Sequence, residues 1–480
     1  MKSFKLQSLS LLALGILAGL FLGLQLPAFA ERQAAQSGGL PLSELRAFAE
    51  VYGAISRGYV EPVEDKKLLT NAISGMLSNL DPHSAYLDPT AFKDLQEDTQ
   101  GEFGGLGIEV TMEDGLVKVI APIEDTPAYR AGLSAGDLIF KLDDTPVKGL
   151  TLTDAVKKMR GKPGTSLRLS ILRKGQPKPL EITLKREVIK VQSVKSKLIE
   201  PGYGWLRITQ FQDSTVADLN KHLKKLYEKG DLKGLILDLR NDPGGLLTAA
   251  VGVSSAFLPA GAKVVSTDGR VPEAHQEFLA RPEDYERSGE SDPLAGLPAG
   301  VKTVPMIVLV NGGSASASEI VAGALKDHER GLIMGTRTFG KGSVQTIWPL
   351  ATGDAIKLTT ARYYTPSGHS IQAKGIAPDI EVTEIAGGKK LPMLREADLT
   401  GHLAAVKDAG DDADADKKDA DEASLDDLPP VRLEYATDND RQFREALNLL
   451  KGMAILSRKP VAKPVTAAQQ DAAPVKAEAQ

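Results

Sequence analysis

The 480-residue sequence predicts an α/β body interrupted by a smaller, mostly β module and flanked by helical ends. Three observations carry this prediction. Apolar runs at 234–239 and 306–310 each lead into a glycine-containing turn and then a helical pattern, as buried parallel strands with crossover helices do. Residues 101–190 instead break into short β-branched runs at 107–110, 116–121, 137–142, 166–172 and 180–185, punctuated by Gly and Pro, with one helix near 153–159. Over 41–95 the period is helical, with Leu45, Phe48, Ala49, Val51 and Tyr52, then Leu68, Ile73, Met76 and Leu77.

Taken in order, residues 1–30 have two lysines, an apolar run over about 9–24 and small residues at Ala28 and Ala30. These are the marks of a secretory signal peptide cleaved after Ala30. An uncleaved anchor is the competing reading, because the run approaches membrane-spanning length. Either way the bulk of the chain is expected outside the cytoplasm, with the periplasm as its place and the periplasmic face of the inner membrane as the alternative. A helical region over 31–100, the β module over 101–190 and the α/β core over 191–385 follow. A polar excursion at about 268–300, rich in Pro, Glu, Arg and Gly, reads as a loop within the core. Residues 386–430 read as an acidic, disordered linker, since 408–427 hold ten acidic residues against Lys417 and Lys418. Residues 431–460 hold Phe443, Ala446, Leu447, Leu450 and Ile455 at amphipathic helical spacing, and 461–480 form a polar tail. Helices at 41–56 and 436–456 suit either a second subunit or their own body, and both readings stay open.

Composition narrows the function. With 42% hydrophobic and 25% charged residues the chain is too polar for a multispanning membrane protein. Its 58 basic and 63 acidic residues leave a net charge of −5, which weighs against a nucleic-acid partner. Cysteine is absent, so any covalent nucleophile is an oxygen or a nitrogen. The six histidines form no metal-ligand spacing, and neither a metal nor another cofactor is expected.

In the β module, Gly104-Gly105-Leu106-Gly107-Ile108 opens a strand, and its glycines let successive amides converge as a cradle for a carboxylate beside an edge that can add an extended peptide. A Gly-rich turn alone is usually only a turn. Residues 127–133, 136–139 and 160–165 complete a pattern that resembles the PDZ domain of bacterial proteases. That resemblance implies that Leu106, Gly107 and Ile108 hold the C-terminal carboxylate of a bound chain through their backbone.

In the core, the strand at 306–310 runs into Asn311-Gly312-Gly313-Ser314-Ala315-Ser316-Ala317-Ser318-Glu319 and a helix. A serine on such a turn is exposed, and the free amides of the helix start can stabilise an oxyanion. Ser316-x-x-Glu319 is equally a capping box, and three serines compete for the role. A serine needs a base. No histidine sits in a motif that nominates it; His328 reads as a solvated helix end. Lys341, in Phe339-Gly340-Lys341-Gly342-Ser343-Val344-Gln345, is the best-placed lysine, with flanking glycines and apolar neighbours able to dehydrate the amine.

Together with Tyr59-Val60-Glu61-Pro62, Leu80-Asp81-Pro82-His83-Ser84, the 237–245 segment and the 361–368 segment, these motifs resemble the carboxyl-terminal processing (tail-specific) serine proteases over about residues 45–385. The resemblance implies a crotonase- or ClpP-like α/β core with an inserted PDZ domain, Ser316 as nucleophile, Lys341 as general base and Gln345 as the residue orienting the lysine. Residues four apart on a strand are separated by about 13 Å, so Gln345 reaches Lys341 only if this stretch curls. The Ala317 amide is expected to form half of the oxyanion hole and Gly244-Gly245 the other half, with Gly244 preferred. The partners implied are proteins or peptides with accessible C-termini, with an envelope adaptor and a homo-oligomer as further expectations. Two other readings stay open. A PDZ scaffold without catalysis explains the groove but gives no reason for Lys341 and Gln345; a crotonase-type enzyme acting on acyl thioesters has no use for a peptide-end module.

Overall fold

The computed structural model describes residues 41–123, 125–287, 289, 291–384, 393–405 and 435–456. The signal-peptide segment, the acidic run at 408–427 and the tail lie outside the described residues. Among the described residues no helix is long and apolar enough to cross a membrane. The chain divides into two units, one through residue 76 and one from residue 77 onward.

The first unit holds helix α1 (Leu42–Gly58) and nearly all of α2 (Asp65–Ser78). Leu42, Leu45, Phe48, Val51 and Ile55 are all exposed along α1.

The second unit begins with β1 (Ala85–Leu87) and α3 (Pro89–Gln100), the latter capped by Asp88, whose side chain accepts from the Ala91 amide at 2.8 Å. A two-stranded stem then leads into and out of the β module, because β2 (Glu102–Gly105) pairs with β9 (Glu187–Lys190). Between them β3 (Ile108–Glu113), β4 (Leu116–Pro122), β5 (Leu138–Leu142), β7 (Ser166–Leu172) and β8 (Leu180–Lys185) form an antiparallel sheet in that order, with the short β6 (Thr145–Pro146) on β5. Alternate residues Leu167, Leu169 and Ile171 point inward with Val117, Val119 and Ile139, and Ala155 and Met159 of helix α5 (Leu152–Met159) close that core. One further turn of helix, α4 (Pro127–Arg130), packs beside it.

The α/β core is a six-stranded sheet ordered β10 (Val194–Glu200), β11 (Tyr203–Ile208), β12 (Gly234–Asp238), β15 (Met306–Val310), β16 (Leu332–Gly335) and β19 (Ile380–Glu381), parallel except for β10. Every residue of β12 and β15 is buried, since both faces are covered. Leu235, Leu237, Val308 and Val310 face helices α6 (Thr215–Tyr227), α7 (Leu247–Phe257) and α8 (Ala317–Asp327). Ile236, Ile307 and Leu309 face the other way, onto Phe443, Ala446, Leu447 and Leu450 of α9 (Arg441–Leu456). The C-terminal helix therefore packs on its own body. A second, antiparallel sheet joins β1, β18 (Ala355–Tyr364), β13 (Lys263–Gly269) and β14 (Gln276–Leu279), with β17 (Ser343–Pro349) on β18.

Two expectations are revised. The excursion at 268–300 contains strand β14, where Phe278 and Leu279 pack while Gln276 and Glu277 face outward, and two short 3₁₀ turns, with a third (Ala299–Lys302) running past its end. Residues 393–405, inside the span assigned to the acidic linker, are ordered, and Glu396 there is fully buried. Their charge is not in the 408–427 run, which is where the acidity lies.

Arg240, at the end of β12, is fully buried. Its guanidinium donates to Asp238 Oδ2 at 2.7 Å and to Asp440 Oδ2 at 2.7 Å, with Gln442 Oε1 at 3.0 Å. Those partners raise its affinity for the proton against the cost of burial. Asp440 also caps α9, accepting from the Phe443 amide at 3.1 Å. Removing one member of a buried ion pair strands the other's charge. Asp440→Ala is therefore expected to lower the unfolding free energy by about 3–5 kcal/mol, read from urea denaturation; an unchanged midpoint would show that Arg240 finds another anion.

Candidate active site and peptide-end groove

The 311–319 turn separates the three competing serines. Ser314 donates to the Leu239 carbonyl at 2.8 Å and Ser318 to the Asp242 carbonyl at 3.0 Å. The Ser316 hydroxyl proton goes to no acceptor among the described residues, and Ser316 alone of the three has a positive φ, 53°. A non-glycine residue in that region is strained and persists only where its surroundings hold it. What holds it is the capping pattern: the Ser316 amide donates to Glu319 Oε2 at 2.8 Å. The cap and the strained serine are thus one arrangement, not rival ones; against the expectation of an exposed serine, Ser316 is buried, because Gly244 and the start of the helix pack over it.

Glu319 does more than cap. It is wholly buried; Oε2 also accepts from the Lys341 amide at 2.9 Å, and Oε1 accepts from the Gly340 amide at 2.7 Å and the Thr338 hydroxyl at 2.5 Å. One carboxyl thereby fixes the backbone of Ser316 and of Lys341 together. Burial pushes it up to about 7, while the four hydrogen bonds act in the other direction.

The Lys341 ammonium has no hydrogen-bond partner among the described residues. Its proton affinity is lowered, first by burial and then by the charge of Lys357, while Glu396, Glu319 and Asp81 work against that shift. These are the conditions under which a lysine serves as a base.

Gln345 lies on β17, beside a bulge at Val344/Gln345. Its side-chain amide donates to Ser343 Oγ at 2.9 Å and Thr359 Oγ1 at 3.3 Å, so the stretch is extended and Gln345 does not bond Lys341 here.

The Ala317 amide, first in α8, donates to no acceptor among the described residues. Gly244 lies against it. A Cβ added to Gly244 would stand 2.8 Å from Ala317 N and 2.9 Å from Ser316 Cβ, at a φ of +96°. The Gly244 amide, however, donates to Asp242 Oδ1 at 2.9 Å. The Gly245 amide donates to none of the described residues; the glycine itself is exposed, although a Cβ on it would meet the Phe211 carbonyl oxygen at 2.0 Å.

Around the lysine loop stand groups that the motifs alone left unassigned. Asp81 accepts from the His83 and Ser84 amides at 2.9 Å and from Thr359 Oγ1 at 3.0 Å, which reaches Gln345 in turn. His83 Nε2 lies 2.8 Å from Glu396 Oε2; Gln372 donates to Glu396 Oε1 at 2.9 Å and accepts from the Gly342 amide at 3.0 Å. The Asp81-Pro82-His83-Ser84 stretch stands in the sequence only as one of the motifs of the family resemblance, and nothing local marks Glu396 or Gln372.

In the β module, Phe103, Leu106, Ile108, Val110, Val156, Met159 and Arg160 line a cavity of about 130 Å³ at the 104–108 loop. The Leu106 carbonyl accepts from the Ala128 amide at 3.0 Å and the Gly107 carbonyl from the Ile123 amide at 2.9 Å, while the Leu106 and Gly107 amides bond none of the described residues. Gly107 has φ +78°, and a Cβ on it would meet Thr126 Cβ at 2.2 Å. Apolar walls beside free amides fit the end of an extended chain.

Residues 202–382 match peptidase family S41, residues 104–184 the PDZ domain, and residues 24–91 the activating protease CtpB N-terminal domain. A carboxy-terminal-processing protease of Bartonella bacilliformis is 44% identical over 441 residues, 91% of this chain and 94% of its own. The carboxy-terminal processing protease CtpA of Bacillus subtilis is 34% identical over 352 residues, 73% of this chain and 71% of its own. The chain belongs to the carboxy-terminal processing proteases of peptidase family S41.

This family member has the S41 protease fold with a PDZ domain, and its class is that of serine-type peptidases. Of the residues marked from sequence, the structure brings Ser316, Ala317, Gly244 and the Lys341 backbone into one cluster and sets Leu106, Gly107 and Ile108 at the separate groove. Gln345 stands beside the lysine loop but bonds elsewhere. At Gly244 even one methyl group would occupy the space between the two amide positions. Gly244→Ala is expected to reduce kcat by roughly 100- to 1000-fold, measured on a peptide substrate with folding monitored by circular dichroism; wild-type kcat would place the oxyanion elsewhere.

Proposed function

We propose that this protease is an endopeptidase in which Ser316 is the nucleophile and Lys341 the general base, acting on proteins that present a C-terminal tail to the PDZ groove. The observation that carries the reading is the Glu319 carboxyl, bonded at once to the Ser316 and Lys341 amides at 2.8 and 2.9 Å. A structural cap needs only the first of these bonds.

The chemistry follows from the groups in place. Neutral Lys341 Nζ takes the proton of Ser316 Oγ as the oxygen attacks the scissile carbonyl carbon. The carbonyl oxygen becomes an anion held by the Ala317 amide and an amide of Gly244-Gly245. As the tetrahedral centre collapses, the C–N bond breaks and Lys341 returns its proton to the leaving amine. Water then attacks the Ser316 ester, gives a proton to Lys341, and the new C-terminus departs as the proton returns to Ser316. Gln345 is the group that would orient Lys341 in the working site, which requires it to leave Ser343 and Thr359.

The tail is held through the Leu106, Gly107 and Ile108 backbone, and occupancy of the groove gates the core. A run of contacts supports that gating. Arg160, lining the groove, lies 4.3 Å over the Phe103 ring and 3.9 Å from both Glu97 and Asp98 of α3. The Asp98 carbonyl accepts from Gln212 at 3.2 Å, and the neighbouring Phe211 amide donates to the Gly244 carbonyl at 2.9 Å. The residue 1–30 segment supports a periplasmic place for the enzyme, free or anchored to the inner membrane, and the exposed apolar row on α1 supports assembly with a second copy; an envelope adaptor is a further partner to be sought.

Two experiments test this. Wild type, Ser316→Ala and Lys341→Ala are incubated with an unfolded protein; cleavage by wild type alone is expected, and equal cleavage by either variant refutes the assignment. Gly107→Val, whose branched side chain cannot fit against Thr126, is expected to abolish the preference for substrates with a free apolar C-terminus over amidated ones; a preserved preference would move tail recognition elsewhere.

A further inference from the structure

We infer that Asp242 is a positioning residue that sets the oxyanion hole: its carboxylate holds the Gly244 amide and opposes a second negative charge, and its neutral carboxyl lets that amide turn to the substrate. The inference rests on the assignment of Ser316 as nucleophile and extends it.

Geometry carries it. Asp242 is fully buried, and Oδ1 accepts from the Gly244 amide at 2.9 Å while Oδ2 has no partner. Its carbonyl accepts from the Ala315 amide at 3.0 Å and the Ser318 hydroxyl at 3.0 Å. The residue is thereby clamped beneath the nucleophile turn, with the glycine peptide between its carboxyl and Ala317. A carboxylate in that place makes a charge-assisted bond that competes directly with the oxyanion for the same N–H. It also sets one anion beside the position where another must form.

The surroundings favour the neutral form. On β11, Arg207 is committed to Asp238 at 3.3 Å and to the face of Tyr435, with 3.6 Å to the ring centre. At the end of β12, Arg240 is held by Asp238 and Asp440. On α8, Glu319 is taken up by its four donors and brings no positive charge. Burial pushes the Asp242 carboxyl up to about 8, with the Gly244 amide, Ser318 and the more distant Arg207 charge acting the other way. Near neutral pH the group is thus mostly protonated, and it ionises on the alkaline side.

Two titrations of opposite sense then meet in one site. Lys341 must lose a proton to act, so activity rises with pH through its pKa; Asp242 must keep one, so activity falls as pH passes about 8. The full-length protein is assayed for kcat/KM on an unfolded protein substrate from about pH 6 to 10. Wild type is expected to show a falling alkaline limb that approaches tenfold per pH unit, and Asp242→Asn is expected to lack it, exceeding wild type by roughly tenfold near pH 9 through kcat rather than KM. A falling limb that persists in Asp242→Asn, or its absence from wild type, overturns the inference. If the variant does not fold, a peptide aldehyde, whose adduct with Ser316 places an oxyanion in the hole, is titrated against wild type. Its affinity should weaken over the same alkaline range, and an affinity flat across it overturns the inference. Hydrolysis that survives Ser316→Ala instead overturns the active-site reading itself, whatever the Asp242 result.

Discussion

Four donors converge on the Glu319 carboxyl in a place without solvent, and the rest of the site depends on them. The Ser316 and Lys341 amides reach one oxygen, the Gly340 amide and Thr338 hydroxyl the other. A buried carboxyl left with fewer donors would be costly, so the two loops must come together to satisfy it. The strain at Ser316, with its φ of 53°, is offset in the same place. Because one loop leads into the start of α8 and the other into the start of β17, the bond set turns two separate stretches of chain into one rigid piece. A nucleophile and a base on side chains need their main chains held before their tips can be placed.

Lys341, the proposed base, sits in a balance. Burial and Lys357 favour the neutral amine; Glu396, Glu319 and Asp81 favour the ammonium. The acids are not free to pair with it, since Glu396 is engaged by His83 and Gln372, and Asp81 by the 83–84 amides and Thr359. Each carboxylate that finds its own donors is one that does not hold the lysine charged by a direct bond. The acids can thus stand close enough to organise the loop without forming an ion pair that would disable it.

Much of this was legible in the sequence, and the reason it was legible is local. The strand–turn–helix at 306–325 follows from apolar runs and glycines a few residues apart, so Ser316 and the Ala317 amide could be placed from their neighbours alone. The β module was equally readable, because period-2 alternation along 166–172 already says which residues face inward. The failures are long-range. Ser316-x-x-Glu319 looked like a choice between a cap and a catalyst because the bonds to Gly340 and Lys341 are not visible along the helix. Glu396 was assigned to a linker because composition averaged it with the acidic run beyond it, while its partners, His83 and Gln372, are far away in sequence. Between the two glycines no local rule decides; what distinguishes them in the structure is a bond from the Gly244 amide to the Asp242 carboxyl, two residues away.

The same bond explains why the C-terminal helix matters to a site it does not enter. Asp242 follows Asn241, which follows Arg240, so the oxyanion turn starts where the buried Arg240 fork ends. That fork is closed by Asp440 and Gln442, beyond the acidic linker. Asn241 is held as well, its side chain donating to the Tyr435 hydroxyl at 2.7 Å and its amide to Asn311 Oδ1 at 2.9 Å. Residues 435–442 and the nucleophile turn thus grip the same short segment from opposite sides. In the proposed mechanism this turn presents one amide to an anion, and with a φ of +96° that only glycine adopts readily it is kept in register only if both of its ends are fixed. Residues 435–442 supply one of those ends, which makes them part of the frame of the proposed site and not an appendage to it.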